Sequence, residues 1–189
     1  MRFPGPKAKR ILRLNKEYYA TNTVGARICV EKGDGAILTD YDGYRFIDLH
    51  CDAGVNNLGR NHPAIMRAMA DQMNTGIIFT EHHNAPNKYA VKLTKFLDIK
   101  SPVPEPAKVF FSNSGAEANE NAIKLCRSYR HRNEEAKKRT LAIYFKNGFA
   151  GRTMGVLPAT SSKPEVQRDP FWDHCDIHNT VYLPYPKRW

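Results

Sequence analysis

Val109-Phe110-Phe111-Ser112-Asn113-Ser114-Gly115-Ala116-Glu117-Ala118-Asn119-Glu120-Asn121-Ala122-Ile123-Lys124-Leu125-Cys126 is the stretch whose reading decides the fold of this chain. It reads as a short buried strand, a tight polar turn and a helix. The apolar run Val109–Phe111 follows the breakers Pro102, Pro104 and Pro106. Ser112-Asn113-Ser114-Gly115 is built of residues that cap helices and accept unusual backbone angles. Ala118, Ala122, Leu125 and Cys126 then recur at helical spacing. A strand–turn–helix of this kind leaves the first helical N–H groups unpaired and aimed at one point, with the helix dipole behind them. A phosphate suits that point: Gly115 allows close approach to the backbone and Ser114 adds a hydroxyl donor. An ordinary capped helix satisfies the same pattern. Neither a Walker A motif nor G-x-G-x-x-G is present.

Working outward, 189 residues are enough to bury a sizeable core, and 41% apolar with 25% charged residues is a globular composition. The formal charge of +10 raises nucleic acid as a partner. The basic residues are scattered, however, clustering only at Lys7–Arg13, Arg127–Arg132 and Lys137–Arg139 without interleaved aromatics of a known module. A solvated basic surface is the reading adopted. Cys29, Cys51, Cys126 and Cys175 form no C-x-x-C pair and follow no signal peptide, as reduced cytoplasmic thiols do. No apolar run has the length to span a bilayer. Adjacent His82 and His83 point different ways, and His174-Cys175-x-x-His178 lacks a fourth ligand, so no metal site is expected.

The elements follow in order. A helix is expected over Ala8–Tyr19 with Ile11, Leu14 and Tyr18 on its apolar side, either docked or a loose arm. Strands at Ile28–Glu31, Ala36–Thr39 and Arg45–Asp48, separated by Gly33-Asp34-Gly35 and Asp42-Gly43, predict an antiparallel meander. A polar loop runs from His50 to His62, and Pro63 starts a helix through Met73. A loop at Thr75–Asn84, a helix over Asn87–Leu97, and a second apolar strand at Leu141–Phe145 come next. That strand leads into Lys146–Gly155, another Gly-rich turn, and Val181–Leu183 reads as a further short strand. Strands alternating with helices after residue 75 predict a mainly parallel sheet, whose ligands sit at the carboxyl ends of its strands. Ser114-Gly115 and Phe149-Ala150-Gly151-Arg152 both fall there.

Phe110–Glu120 resembles the phosphate-cup signature of the class III aminotransferases, pyridoxal-phosphate enzymes of fold type I. Three further segments, in order, resemble the same family: Gly33–Asp48 its N-terminal hairpin, Asn57–Pro63 its G-H-x-H-P segment, and Phe149–Thr153 its F-H-G-R-T segment. Pro4–Ala8 and Pro184–Pro186 lean towards the 4-aminobutyrate aminotransferase-like group. The resemblance implies a partial α/β fold of type I: an N-terminal arm and small-domain segment over residues 1–74, then the first part of the pyridoxal-phosphate-binding large domain over 75–189. It implies that Gly115 and Ala116 offer backbone N–H groups to the cofactor phosphate with Ser114 beside them. Phe149 would stack on the pyridine ring, Arg152 would clamp a substrate carboxylate, and Ala53 would wall the substrate pocket.

Two residues depart from the pattern: Ala150 stands where the family usually has histidine, and Arg60 replaces the first histidine of G-H-x-H-P. The chain is less than half of a typical member. In the family the Schiff-base lysine and the acidic partner of the pyridine nitrogen lie in the large domain beyond residue 189, and no lysine here has the matching context. The resemblance therefore implies an N-terminal portion that would move an amino group from an amino acid or ω-amine to a 2-oxo acid only with a complementary chain, in a dimeric family. A non-catalytic remnant serving as a binding or partner subunit is the rival. Either way, strands left without neighbours predict an aggregation-prone or partner-dependent polypeptide.

Overall fold

The structure, a computed structural model, describes residues 3–20, 27–77, 87–104, 106–174 and 179–186. Contacts divide the chain into two compact units, Met1–Asn87 and Lys88–Trp189.

The first unit begins with α1 (Pro6–Tyr18). Proline suits its first turn, but its cap comes from a distance: the Asp42 carboxylate accepts the N–H groups of Lys7 at 3.0 Å and Ala8 at 2.8 Å. Gly5 makes room for that carboxylate, since a Cβ there would lie 2.3 Å from Asp42 Cγ. The arm is thus docked at its first turn, where Ala8 is fully buried; Leu14 and Tyr18 on the expected apolar side are exposed.

The meander forms as β1 (Val30–Asp34), β2 (Ile37–Asp40) and β3 (Arg45–Ile47), antiparallel throughout. Its register sets Asp34 against Ile37 and Thr39 against both Lys32 and Arg45, with a bulge between Val30 and Lys32. The first turn is Gly35-Ala36 rather than Gly33-Asp34-Gly35. Gly35 takes φ +51°, whereas Gly33 lies within β1, paired with Leu38, where a Cβ would lie 2.3 Å from Arg60 Cδ. In the second turn the buried Asp40 accepts the N–H groups of Asp42 and Tyr44 through one oxygen.

The expected 50–62 loop contains a turn of unusual hand, α2 (Cys51–Gly54). Cys51, Asp52 and Ala53 have φ values of 50°, 48° and 57°, and Gly54 follows at 96°. Three consecutive non-glycine residues in the left-handed region are strained and require outside support. Asp48 gives it, accepting the N–H groups of Cys51 at 2.9 Å and His50 at 3.1 Å. Arg60 binds Asp48 through Nε and Nη2 and reaches Asp52 at 2.8 Å. The backbone of Arg60 also exchanges two hydrogen bonds with Gly35, tying this turn to the meander. Arg60 therefore has a structural part that a histidine could not reproduce with the same reach. The helix α3 (Pro63–Asn74) ends the described part of this unit.

The second unit comprises α4 (Lys88–Lys100), α5 (Gly115–Arg132), β4 (Ala142–Phe145), α6 (Pro164–Gln167) and β5 (Thr180–Leu183), with short 3-10 turns between them. β4 and β5 pair in parallel, Ile143 against Val181 and Phe145 against Leu183. Val156, Leu157 and Thr160 form its fully or almost fully buried centre. The strand expected at Val109–Phe111 is corrected: 107–112 joins no ladder among the described residues, and Phe110 stands 68% exposed. A strand is defined by ladder hydrogen bonds to a neighbouring strand, and among the described residues this segment makes none; its Ala107 N–H goes instead to the Asp98 carboxylate at 2.8 Å. The charged segment after Cys126 continues α5 for nearly two turns before a 3-10 turn at Ala136–Lys138.

Candidate functional site

The sequence Ser114-Gly115-Ala116-Glu117 folds into a reciprocal cap at the start of α5. Ser114 is the N-cap, its Oγ accepting the Glu117 N–H at 3.2 Å, and the Glu117 carboxylate reaches back to the Asn113 N–H at 2.6 Å. This is the logic of a capping box, displaced one residue outward on the return bond. Among the described residues the N–H groups of Gly115 and Ala116 have no partner. They are the two donors the cap leaves for an incoming anion. The volume above Gly115 is open, with nothing within 4 Å of a Cβ built there.

Opposite these donors lies the segment after β4. Gly115, Ala116 and Asn119 of α5 line a cleft of about 530 Å³ together with Phe149, Ala150, Gly151, Arg152 and Thr153. Phe149 is 60% exposed, and the Arg152 guanidinium sits 5.7 Å from its ring centroid in a cation–π contact. Unpaired N–H donors, an exposed aromatic face and a guanidinium thus border one cavity. That set can take an anion at one end, an aromatic ring in the middle and a carboxylate beside it.

What shapes the turn is less visible from sequence. Thr160, fully buried, accepts the Ala150 N–H at 3.1 Å and donates to the Gly151 carbonyl at 2.6 Å. Ser161 donates its hydroxyl to the Phe145 carbonyl at 2.8 Å. Asn119 Nδ2 donates to the Ala150 carbonyl at 2.8 Å, and Glu120 accepts from Thr153 and Gly155. Gly151, at φ +137°, passes so close to α5 that a Cβ would lie 2.6 Å from Ala116 Cβ. Asn119 and Glu120 belong to the stretch quoted above, but helix periodicity marked only its apolar residues; a polar i, i+1 pair on the helix is the signal that was available.

Ala53 lies in the first unit, exposed on the left-handed turn, its N–H held by His50 Nδ1 at 3.2 Å. The loop residues Thr80–His83, and Cys175 and His178 of the H-C-x-x-H cluster, fall outside the described residues. Among the described residues no group of three or more His, Cys, Asp and Glu could hold a metal. No helix there is long and apolar enough to cross a membrane.

The family model "Aminotransferase class-III" matches residues 18–188. The acetylornithine aminotransferase of Synechocystis is 34% identical over 174 residues, spanning 88% of this chain and 37% of the relative. The acetylornithine aminotransferase of Clostridium acetobutylicum is 37% identical over 79% of this chain and 37% of its own length. Among solved structures, the ornithine aminotransferase of Toxoplasma gondii superposes with a TM-score of 0.79 at 19% identity, covering 94% of this chain and 40% of that one. An omega transaminase from Pseudomonas jessenii, solved with PMP, gives 0.77 at 24% identity, covering 92% and 39%. The chain therefore has the fold of part of a type I aminotransferase and spans about two fifths of the length of these proteins. They are of acetylornithine, ornithine and omega type, and the leaning to the 4-aminobutyrate group is carried no further.

Proposed function

Because this chain belongs to the class III aminotransferase family, whose cofactor is pyridoxal 5'-phosphate, we propose that it supplies the phosphate cradle, one ring face and the substrate arginine of a transaminase. The observation that carries this reading is the pair of unpartnered N–H groups on Gly115 and Ala116, in one cleft with Phe149 and Arg152.

The residues fit the group. Gly115 and Ala116 hold the phosphate through backbone donors backed by the α5 dipole, and the Ser114 hydroxyl adds a proton while its oxygen keeps the Glu117 cap. Phe149 covers the ring and keeps water from that face. Arg152 moves from its contact with Phe149 to a substrate carboxylate, a stronger bidentate partner. The cofactor, when bound, supplies the electron sink that labilises bonds at the amino carbon. Ala53 is read as a substrate-pocket wall. The whole protein moves an amino group from an amino acid or ω-amine to a 2-oxo acid, in the cytoplasm and as a dimer or with a complementary chain. None of the lysines in these 189 residues acts as the catalytic base, so the polypeptide alone binds without turnover.

The test is titration of the polypeptide with pyridoxal phosphate, followed by borohydride reduction. Saturable binding that inorganic phosphate competes away, that Phe149→Ala weakens, and that leaves no cofactor on any one lysine after reduction is the expected result. Covalent fixation at a single lysine would refute the lysine assignment, and binding indifferent to phosphate would refute the cradle.

A further inference from the structure

Ala116, Asn119 and Glu120 share one face of α5, being three and four residues apart. Each takes a different part of the segment after Phe149. Ala116 lies against Gly151, Asn119 Nδ2 holds the Ala150 carbonyl at 2.8 Å, and Glu120 Oε1 accepts the Thr153 hydroxyl at 2.5 Å and the Gly155 N–H at 3.1 Å. Two glycines make the approach possible. A Cβ on Gly151 would lie 2.6 Å from Ala116 Cβ, and one on Gly155 would lie 2.7 Å from Glu120 Oε1. The segment is thus fastened at 150, 151, 153 and 155, on both sides of Arg152. The helix that fastens it is the one whose first N–H groups face the cleft.

From this we infer that Glu120, with Asn119, is a positioning residue for Arg152: it fixes the backbone from which the guanidinium swings, sets its reach from the phosphate donors, and so selects substrates by the span between phosphate and carboxylate. One helix, α5, bears the donors at one end of that span and anchors the segment that bears the other. Hydrogen bonds to a carboxylate are stronger than neutral ones, which suits a latch on the exposed residues that follow Arg152. The inference deepens the proposed function and rests on its reading of the cleft.

The experiment compares the full 189-residue polypeptide with Glu120→Ala and Glu120→Gln. Amide hydrogen exchange reads the latch without any ligand. Binding of inorganic phosphate and of an N-(phosphopyridoxyl) amino acid, which spans phosphate, ring and carboxylate, reads its consequence. In Glu120→Ala, exchange at Gly155 rises about tenfold or more, the effect of losing a hydrogen bond to a charged group. The phosphopyridoxyl amino acid weakens by about tenfold or more, while phosphate stays within about twofold. Glu120→Gln restores both, because both donors use one oxygen and an amide carbonyl can accept both. Unchanged exchange in Glu120→Ala overturns the latch, and equal weakening of both ligands overturns the positioning role. If the wild-type polypeptide binds neither ligand, the reading of the cleft falls and the exchange result alone decides the latch. Thr153→Val removes one of the two bonds to Glu120 and gives the same readouts if Glu120→Ala does not fold.

Discussion

Substituting alanine for Gly151 strikes the closest approach between α5 and the Arg152 segment. Gly151 is buried with φ +137°, a region left almost entirely to glycine. A Cβ there would lie 2.6 Å from Ala116 Cβ, 2.7 Å from Val156 Cγ2 and 3.0 Å from Ala116 Cα. The third neighbour is helix backbone and Val156 is fully buried, so no single rotamer change relieves the site. Backbone strain of this kind costs about 1–3 kcal/mol, and overpacking adds about 1–3 kcal/mol. Opening of the turn is therefore eased by at least about 2 kcal/mol, a factor of about thirty in exchange rate. The amides to follow are Ala150, held by the Thr160 hydroxyl, and Ser161, held by the Gly148 carbonyl at 2.8 Å. Ala116→Gly in the same chain removes the Cβ–Cβ clash and not the φ strain, so the double variant recovers about 1 kcal/mol or more. Exchange in Gly151→Ala within about threefold of the wild type would refute the steric reasoning, as would a double variant no better than the single one.

Ser114→Ala removes the N-cap of α5 and costs about 1 kcal/mol, whereas Ser114→Gly costs only a few tenths, roughly, as glycine caps acceptably. Exchange of the Glu117 amide is the measurement, and equal effects of the two substitutions would contradict a capping role. The N–H of Cys51 first, then the Arg60 guanidinium and the N–H of His50, hold the Asp48 carboxyl below its ordinary value, against the opposing effect of desolvation. A carboxyl lowered in the folded state gives its stabilisation in full above the unfolded value of about 3.9 and loses it as pH falls through the lower folded value. The Cys51 amide, which Asp48 itself holds, should then show its carboxyl-linked shift only in acid stronger than about pH 4. A midpoint above the ordinary aspartate value would show that Asp48 does not hold the left-handed turn.

How much of this was legible in the sequence follows the range of the interactions. The cap at Ser114, the proline start of α3 and the Asp42-Gly43 turn of the meander are set by residues within a few positions of one another, and the sequence shows them, whereas α1 starts at Pro6 ahead of the expected Ala8 and the first meander turn falls at Gly35-Ala36. The Asp42 cap of α1 joins residues about 35 apart, and the Arg60 clamp on Asp48 spans 12. Neither spacing carries a periodic signal. The left-handed turn at Cys51–Ala53 was hidden for a second reason: residues that carry a Cβ disfavour that region, and bonds from Asp48, His50 and Arg60 outside it make it tenable.

The strand that opened the sequence argument shows the sharper limit. An apolar tripeptide after prolines states a readiness to pair, and pairing needs a neighbour that 107–112 does not have among the described residues. β4 and β5 do pair, but Ile143, Phe145, Val181 and Leu183 share one face through their register and all remain exposed. Parallel ladders are ordinarily covered on both faces, so this one is incomplete as a sheet. The cleft nonetheless has its donors, its aromatic face and its guanidinium in place. Its shape is set largely from outside the ladder: by the Ser114 cap, the Gly151–Ala116 contact and the bonds of Asn119 and Glu120 on the helix side, and by Thr160 and Ser161 on the other. The end of the cleft that offers the Gly115 and Ala116 N–H groups is therefore a property of α5 and of the turn packed against it.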